Sequence, residues 1–138
     1  MNQTFLSLGA IAIFMFLSMN IHKGYLVATQ QTVDSQQEVD AVNFGVSITD
    51  ELYSQSFNYD SLQANYGHLN DINYASTRKN LITASDDTLA ATIELSSEQE
   101  IVAGATGRVA TVTIYRIESG KPKQLAQQNA SIVPYNPN

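Results

Sequence analysis

The run FLSLGAIAIFMFLSMNI, Phe5 to Ile21, decides how this chain is built. Only Ser7, Gly9, Ser18 and Asn20 interrupt its apolar side chains, and no ionisable side chain occurs from Met1 to Ile21. With its uncharged flanks the run reaches about 20 residues, the length at which a helix spans the roughly 30 Å of a bilayer core. Three environments accept such a segment: a secretory signal, the buried core helix of a soluble domain, or a retained helix in lipid or among its own kind. The start Met1-Asn2-Gln3-Thr4 lacks the basic residues of a signal, and Leu26-Val27-Ala28 is a poor cleavage pattern. A chain of 138 residues leaves too little to cover this helix on all sides. A retained spanning or bundle-packed helix is the expectation. Lys23, at its C-terminal edge, is a single vote under the positive-inside rule for a cytoplasmic head.

The helix is expected to continue past the apolar run, because no proline occurs before Pro122 and Gly24 and Gly45 stand alone. Over Gln30 to Phe57, at 100° per residue, Gln36, Asp40, Asn43, Ser47, Asp50, Glu51 and Ser54 form one polar strip. Val39, Ala41, Val42, Phe44, Gly45, Val46, Ile48, Leu52, Tyr53 and Phe57 cover most of the remaining circumference. That is wider than one partner needs. One side of this neck is expected to carry the head, and other copies of the chain are the simplest company for the rest. Thr4 to Phe57 as a single helix is about 80 Å long, a length that suits filament subunits and membrane-anchored stalks.

Asn58 to Asp87, dense in Asn, Asp, Ser and Tyr, reads as an irregular connection with room for a short strand or helix. Strand signals follow. Leu89, Ala91, Ile93 and Leu95 alternate with Thr88, Ala90, Thr92 and Glu94, and Glu100–Ala103 is a second short candidate. Arg108–Glu118 carries β-branched residues along its length; a turn at Ser119–Pro122 leads into a last strand over Gln124–Val133. A meander of three or four strands is too small to stand alone and must lay its inner face on the neck. The predicted fold is therefore α+β: an apolar transmembrane or filament-core helix over 1–28, an amphipathic helical neck over 29–57, and a loop region with an antiparallel β-meander head over 58–138.

Charge sorts the functions this chain can have. Seven acids (Asp34, Glu38, Asp40, Asp50, Glu51, Asp60, Asp71) and no further Lys or Arg lie between Lys23 and Arg78, and the net charge is −6. Such a neck repels polyanions, so no nucleic-acid partner is expected. The absence of cysteine excludes a disulfide frame, a thiolate zinc site and a cysteine nucleophile. His22 and His68 lack metal-ligand spacing, and Asp60, Asp71, Asp86 and Asp87 lack the order of a calcium loop. Gly104-Ala105-Thr106-Gly107 is a turn between strands with no helix after it, and no serine sits in a Gly-x-Ser-x-Gly elbow. Asn129-Ala130-Ser131 has the N-glycosylation pattern inside a predicted strand, and Tyr53, Tyr59, Tyr66 and Tyr74 read as packing material. No cofactor, metal, small-molecule substrate or catalytic residue is expected.

The neck sequence Ala41-Val42-Asn43-Phe44-Gly45-Val46-Ser47-Ile48-Thr49-Asp50-Glu51-Leu52 runs from small and aliphatic residues into an acidic pair. In this texture, and in the order long helix, loop, antiparallel meander, the chain resembles the type IV pilin and pseudopilin superfamily. The layout matches over the whole chain, the texture over about the first 60 residues. The family's short basic leader and the Glu at its fifth mature position have no counterpart: position 5 is Phe, and counting from Gly9 the matching position is Phe14. A leader removed ahead of Met1, a divergent relative and a look-alike are the accounts open at this point.

The resemblance implies a structural subunit of a surface filament, inserted in the membrane before assembly and polymerising with copies of itself. The residues expected at that interface are Phe5, Leu6, Leu8, Ile11, Ile13, Phe14, Phe16, Leu17 and Ile21, with Val39, Val42 and Val46 on the neck. Small residues at Ser7, Gly9, Ala10 and Ala12 permit close helix approach. The competing expectation is a single-pass accessory subunit of an envelope complex.

Overall fold

The first helix, α1, extends from Asn2 to Ser54 with no proline to break it. The structure is a computed structural model that describes residues 2–136. The chain divides into two compact units, residues 1–36 and residues 37–138.

In the first unit every described residue is helical and exposed. Hydroxyls in this stretch bond back to the helix itself: Ser7 Oγ donates to the Gln3 carbonyl at 2.8 Å, Thr29 Oγ1 to Tyr25 at 2.9 Å and Thr32 Oγ1 to Ala28 at 3.0 Å. Such i−4 bonds satisfy the hydroxyl hydrogens within the helix itself. The helix is long and apolar enough to cross a membrane.

The second unit is a sheet packed on the last turns of α1. After Ser54 a 3-10 segment, Gln55–Ser61, breaks the helical path at Asn58 (φ −134°, ψ 47°) and leads into α2, Leu62–Tyr66. Five strands follow: β1 Lys79–Ile82, β2 Thr88–Leu95, β3 Gln99–Val102, β4 Ala105–Glu118 and β5 Lys121–Ile132. All described pairings are antiparallel. β1 pairs β2, β2 pairs the second half of β4 (Leu89↔Arg116 to Leu95↔Ala110), β3 pairs its first residues (Gln99↔Gly107), and β5 runs along nearly all of it. At the interruption between β2 and β3, Ser96 N donates to the Val109 carbonyl and Ser96 Oγ accepts from Val109 N, both at 2.9 Å.

Alternation along the strands sends Ala91, Ile93, Ala110, Val112, Ile114, Ala130 and Ile132 into one core with Ala41, Ile48 and Leu52 of α1 and Leu62, Tyr66 and Leu69 behind it. Gly45 is where helix and β5 come close: a Cβ there would lie 2.9 Å from Gln128 Nε2. Gln128 uses that space to donate to the Val42 carbonyl (3.3 Å) and accept from Thr49 Oγ1 (3.3 Å).

The α+β class and the helix-plus-sheet arrangement agree with the sequence reading, and several details differ. α1 ends at Ser54 and not at Phe57, and Ala105–Gly107, expected within a turn, pair with β3 as the start of β4. The connection 58–87 is more ordered than an irregular loop, holding the end of the 3-10 segment, α2, a second 3-10 turn at Ala75–Thr77 and strand β1. β1 is short and its pattern is mostly exposed, so it carries no alternation to read. The sheet accordingly has five strands. The last hairpin turns on Ser119 (φ 50°) and Gly120 (φ 77°) alone, with Glu118 already paired to Lys121. Two left-handed residues in a two-residue loop match the strands' twist, and Pro122 is tolerated because β5 is an edge strand.

Candidate functional site

Two exposed apolar surfaces dominate, one on each unit. On the first, Phe5, Leu6, Leu8, Ile11, Ile13, Phe14, Phe16, Leu17 and Ile21 are each 53–73 % exposed. Because they project all around the helix, no single flat partner covers them. A shallow hollow lies along this helix beside Ser18, Met19, His22 and Lys23.

On the second unit the neck segment of α1 shows a division of faces. Gln37, Ala41, Gly45, Ile48 and Leu52 are buried, within about 80° of arc facing the sheet. Val39, Val42, Val46 and Tyr53 are 45–52 % exposed, and fall within about 60° of arc on the far side. Their spacing, with Thr49 between Val46 and Tyr53, alternates three and four residues, the repeat by which one helix seats against another. The acidic strip lies between: Asn43, Ser47, Asp50 and Ser54 are exposed along it.

Polar side chains clamp the sheet to the neck at both ends, and sequence reasoning singled out none of these pairings. At one end Arg116 Nη1 donates to Gln37 Oε1 at 2.9 Å while its Nη2 lies 3.3 Å from Asp87 Oδ1, and Gln37 Nε2 donates to Asp87 Oδ2 at 3.4 Å. At the other, Lys79 Nζ donates to both Glu51 oxygens (2.7 and 2.6 Å), Tyr66 Oη donates to Glu51 Oε1 at 2.6 Å, and the Lys79 ammonium stands 5.4 Å from the Tyr66 ring centroid. Partial burial pushes the Glu51 carboxyl up, but the bonds from Lys79 and Tyr66 and the Lys79 charge outweigh it and hold the group below its ordinary value. Burial and the neighbouring Glu51 carboxylate push the Tyr66 phenol well above its usual range. These partners lie 15 to 79 residues apart in sequence, so periodicity carries no trace of them.

No protein-family model, curated protein or solved structure matches this chain. The functional reading therefore stands on the residues alone. Among the described residues no group of three His, Asp or Glu side chains gathers as a metal site. His22 and His68 are both exposed. Asp87 is engaged by Arg116 and Gln37, and Asp71 Oδ1 accepts from Asn73 N and Nδ2 in a local turn. Tyr59 and Tyr66 pack at the core, whereas Tyr53 and Tyr74 are exposed.

Proposed function

We propose that this chain is the structural subunit of an extracellular pilus-like filament, held in the membrane by its apolar helix before assembly and polymerising through it. The single observation that carries the reading is the apolar neck stripe Val39–Val42–Val46–Tyr53 turned away from the head, on the same helix as an apolar run exposed on every side. A membrane anchor alone accounts for the run from Phe5 to Ile21. It does not account for a second, heptad-spaced stripe on a segment that also bears Asp40, Asp50 and Glu51. Burial of each Leu, Ile, Val or Phe is worth about 1.5–3 kcal/mol, so bundling many copies offsets the acidic repulsion between necks.

The test is to shear the cells, pellet the released material and image it, for the native chain and for Ile13→Asp. Filaments containing this chain, lost in Ile13→Asp while the head stays folded, support the reading. Normal filament yield from Ile13→Asp overturns it. A protein that stays in the membrane fraction until detergent releases it, together with one stoichiometric partner, points instead to the accessory subunit of an envelope complex.

A further inference from the structure

The end of the head where α1 gives way to the 3-10 segment carries a feature that neither assembly nor the core uses. Phe57 and Tyr135 are 75 % and 58 % exposed, yet their rings contact each other, with centroids 4.8 Å apart and planes tilted by 45°. The pair is held in place by backbone: Tyr135 N donates to the Ser56 carbonyl at 2.8 Å, tying the segment after β5 to the 3-10 segment. Beside the rings lies a depression of about 180 Å³, with Tyr59 in its wall and Ser56, Asn58, Asp60 and Pro134 completing it. Asn58 takes its kinked conformation here, and its Oδ1 accepts from Ser61 Oγ at 3.1 Å. Among the described residues the Asp60 carboxylate, the Asn58 amide nitrogen and the Ser56 hydroxyl have no side-chain hydrogen bond.

We propose that this depression binds a neutral sugar ring, stacked on the Phe57–Tyr135 pair and hydrogen-bonded by Asp60 and Asn58. The volume falls below the roughly 300–1,000 Å³ of sites for drug-sized ligands, so it suits one ring. Its lining residues include one carboxylate and no cation, which disfavours phosphate, carboxylate and sulfated ligands. A purely apolar ligand would strip water from Asp60 and Asn58 without replacing it. A pyranose meets both halves of the site. Its C–H face lies on the aromatic rings, its hydroxyls donate to the Asp60 carboxylate, and a hydroxyl oxygen accepts from Asn58 Nδ2. The inference is independent of filament assembly, because every residue it uses lies beyond the end of α1 at Ser54 and none belongs to the apolar run or the exposed neck stripe.

The experiment uses the full chain in a sugar-free detergent, with glucose, galactose, N-acetylglucosamine and N-acetylgalactosamine as probes and choline as the cationic control. Saturation transfer from protein aromatic protons to at least one sugar is expected, with Kd on the order of 1 mM, as befits one small ring on an open site. Tyr135→Ala and, separately, Asp60→Ala should each weaken that binding at least tenfold, with hydrogen exchange of β2 and β4 confirming an intact sheet. No transfer to any of the four sugars overturns the proposal. So does transfer that survives both substitutions, or transfer to choline alone, which would mark the rings and Asp60 as a cation site.

Discussion

Leu52 and Val46 lie on the same helix, six residues and about 120° apart, and replacing each in turn separates folding from assembly. Leu52 is fully buried, in the cluster that includes Ile48, Leu62, Ile93 and Val112. Leu52→Ala removes the buried part of a large side chain from a core with little freedom to collapse, a loss of about 2–5 kcal/mol. For a unit of this size each kcal/mol is worth about 4–8 °C, so the head's melting temperature should fall by roughly 8–40 °C. Val46 is already 45 % exposed, and Val46→Asp in the isolated subunit should shift stability by no more than about 1 kcal/mol. In a filament the same carboxylate is buried without a partner at every contact, costing several kcal/mol. A loss of about 3 kcal/mol already raises the concentration needed for assembly roughly a hundredfold. The assays are urea unfolding of the detergent-solubilised chain, followed by tyrosine fluorescence, and pelleting of assembled material. If Val46→Asp unfolds the head as far as Leu52→Ala does, the stripe is not a free face. If it pellets like the native chain, the neck takes no part in assembly.

The remaining predictions concern the clamps between neck and sheet. Because the Glu51 pKa is lowered in the folded state, its contribution is present above the ordinary carboxylate range and lost as pH falls through the folded value. The carboxylate is 45 % exposed, so Glu51→Gln should flatten this acid limb by less than about 1 kcal/mol, read from urea midpoints between pH 7 and 3. Tyr66 has the opposite sign: its pKa is raised, so the unfolded chain ionises first and stability falls above about pH 10. Tyr66→Phe should remove that alkaline limb, and a limb of unchanged slope would assign it to other groups. Gly45→Ala gains roughly 1 kcal/mol of helix propensity but displaces the Gln128 amide from Val42 and Thr49. Gly45→Leu, whose larger side chain must displace Gln128 from between helix and strand, should destabilise the head by about 1–3 kcal/mol in the same unfolding assay.

Much of the architecture was legible because it is periodic. The uncharged run before His22, the two-sided neck and the alternations in β2 and β4 each repeat at the period of one element, and burial of one face imposes that repeat. Strand β1 and the helical turns within 58–87 were not legible. They are short and partly exposed, and are held by Arg78 Nη1 on the Ile72 carbonyl (2.7 Å) and Thr77 Oγ1 on the Asp71 carbonyl (2.8 Å) rather than by an apolar repeat. The hairpin turn was read two residues too long because Pro122 suggested a loop, whereas an edge strand has no use for the missing N–H on its open side.

By itself the sequence determined that this chain has one helix long and apolar enough to cross a membrane, an acidic neck and a β-rich head, since composition and period fix which surfaces are apolar. Only the tertiary structure decided which of the neck's apolar residues the head consumes. Ala41, Gly45, Ile48 and Leu52 go to the sheet, while Val39, Val42, Val46 and Tyr53 are left outside. A helical repeat specifies that a face is apolar but not what covers it. That choice belongs to the rotation at which Gly45 admits Gln128, and to Arg116 and Lys79 reaching Gln37 and Glu51 from strands far along the chain.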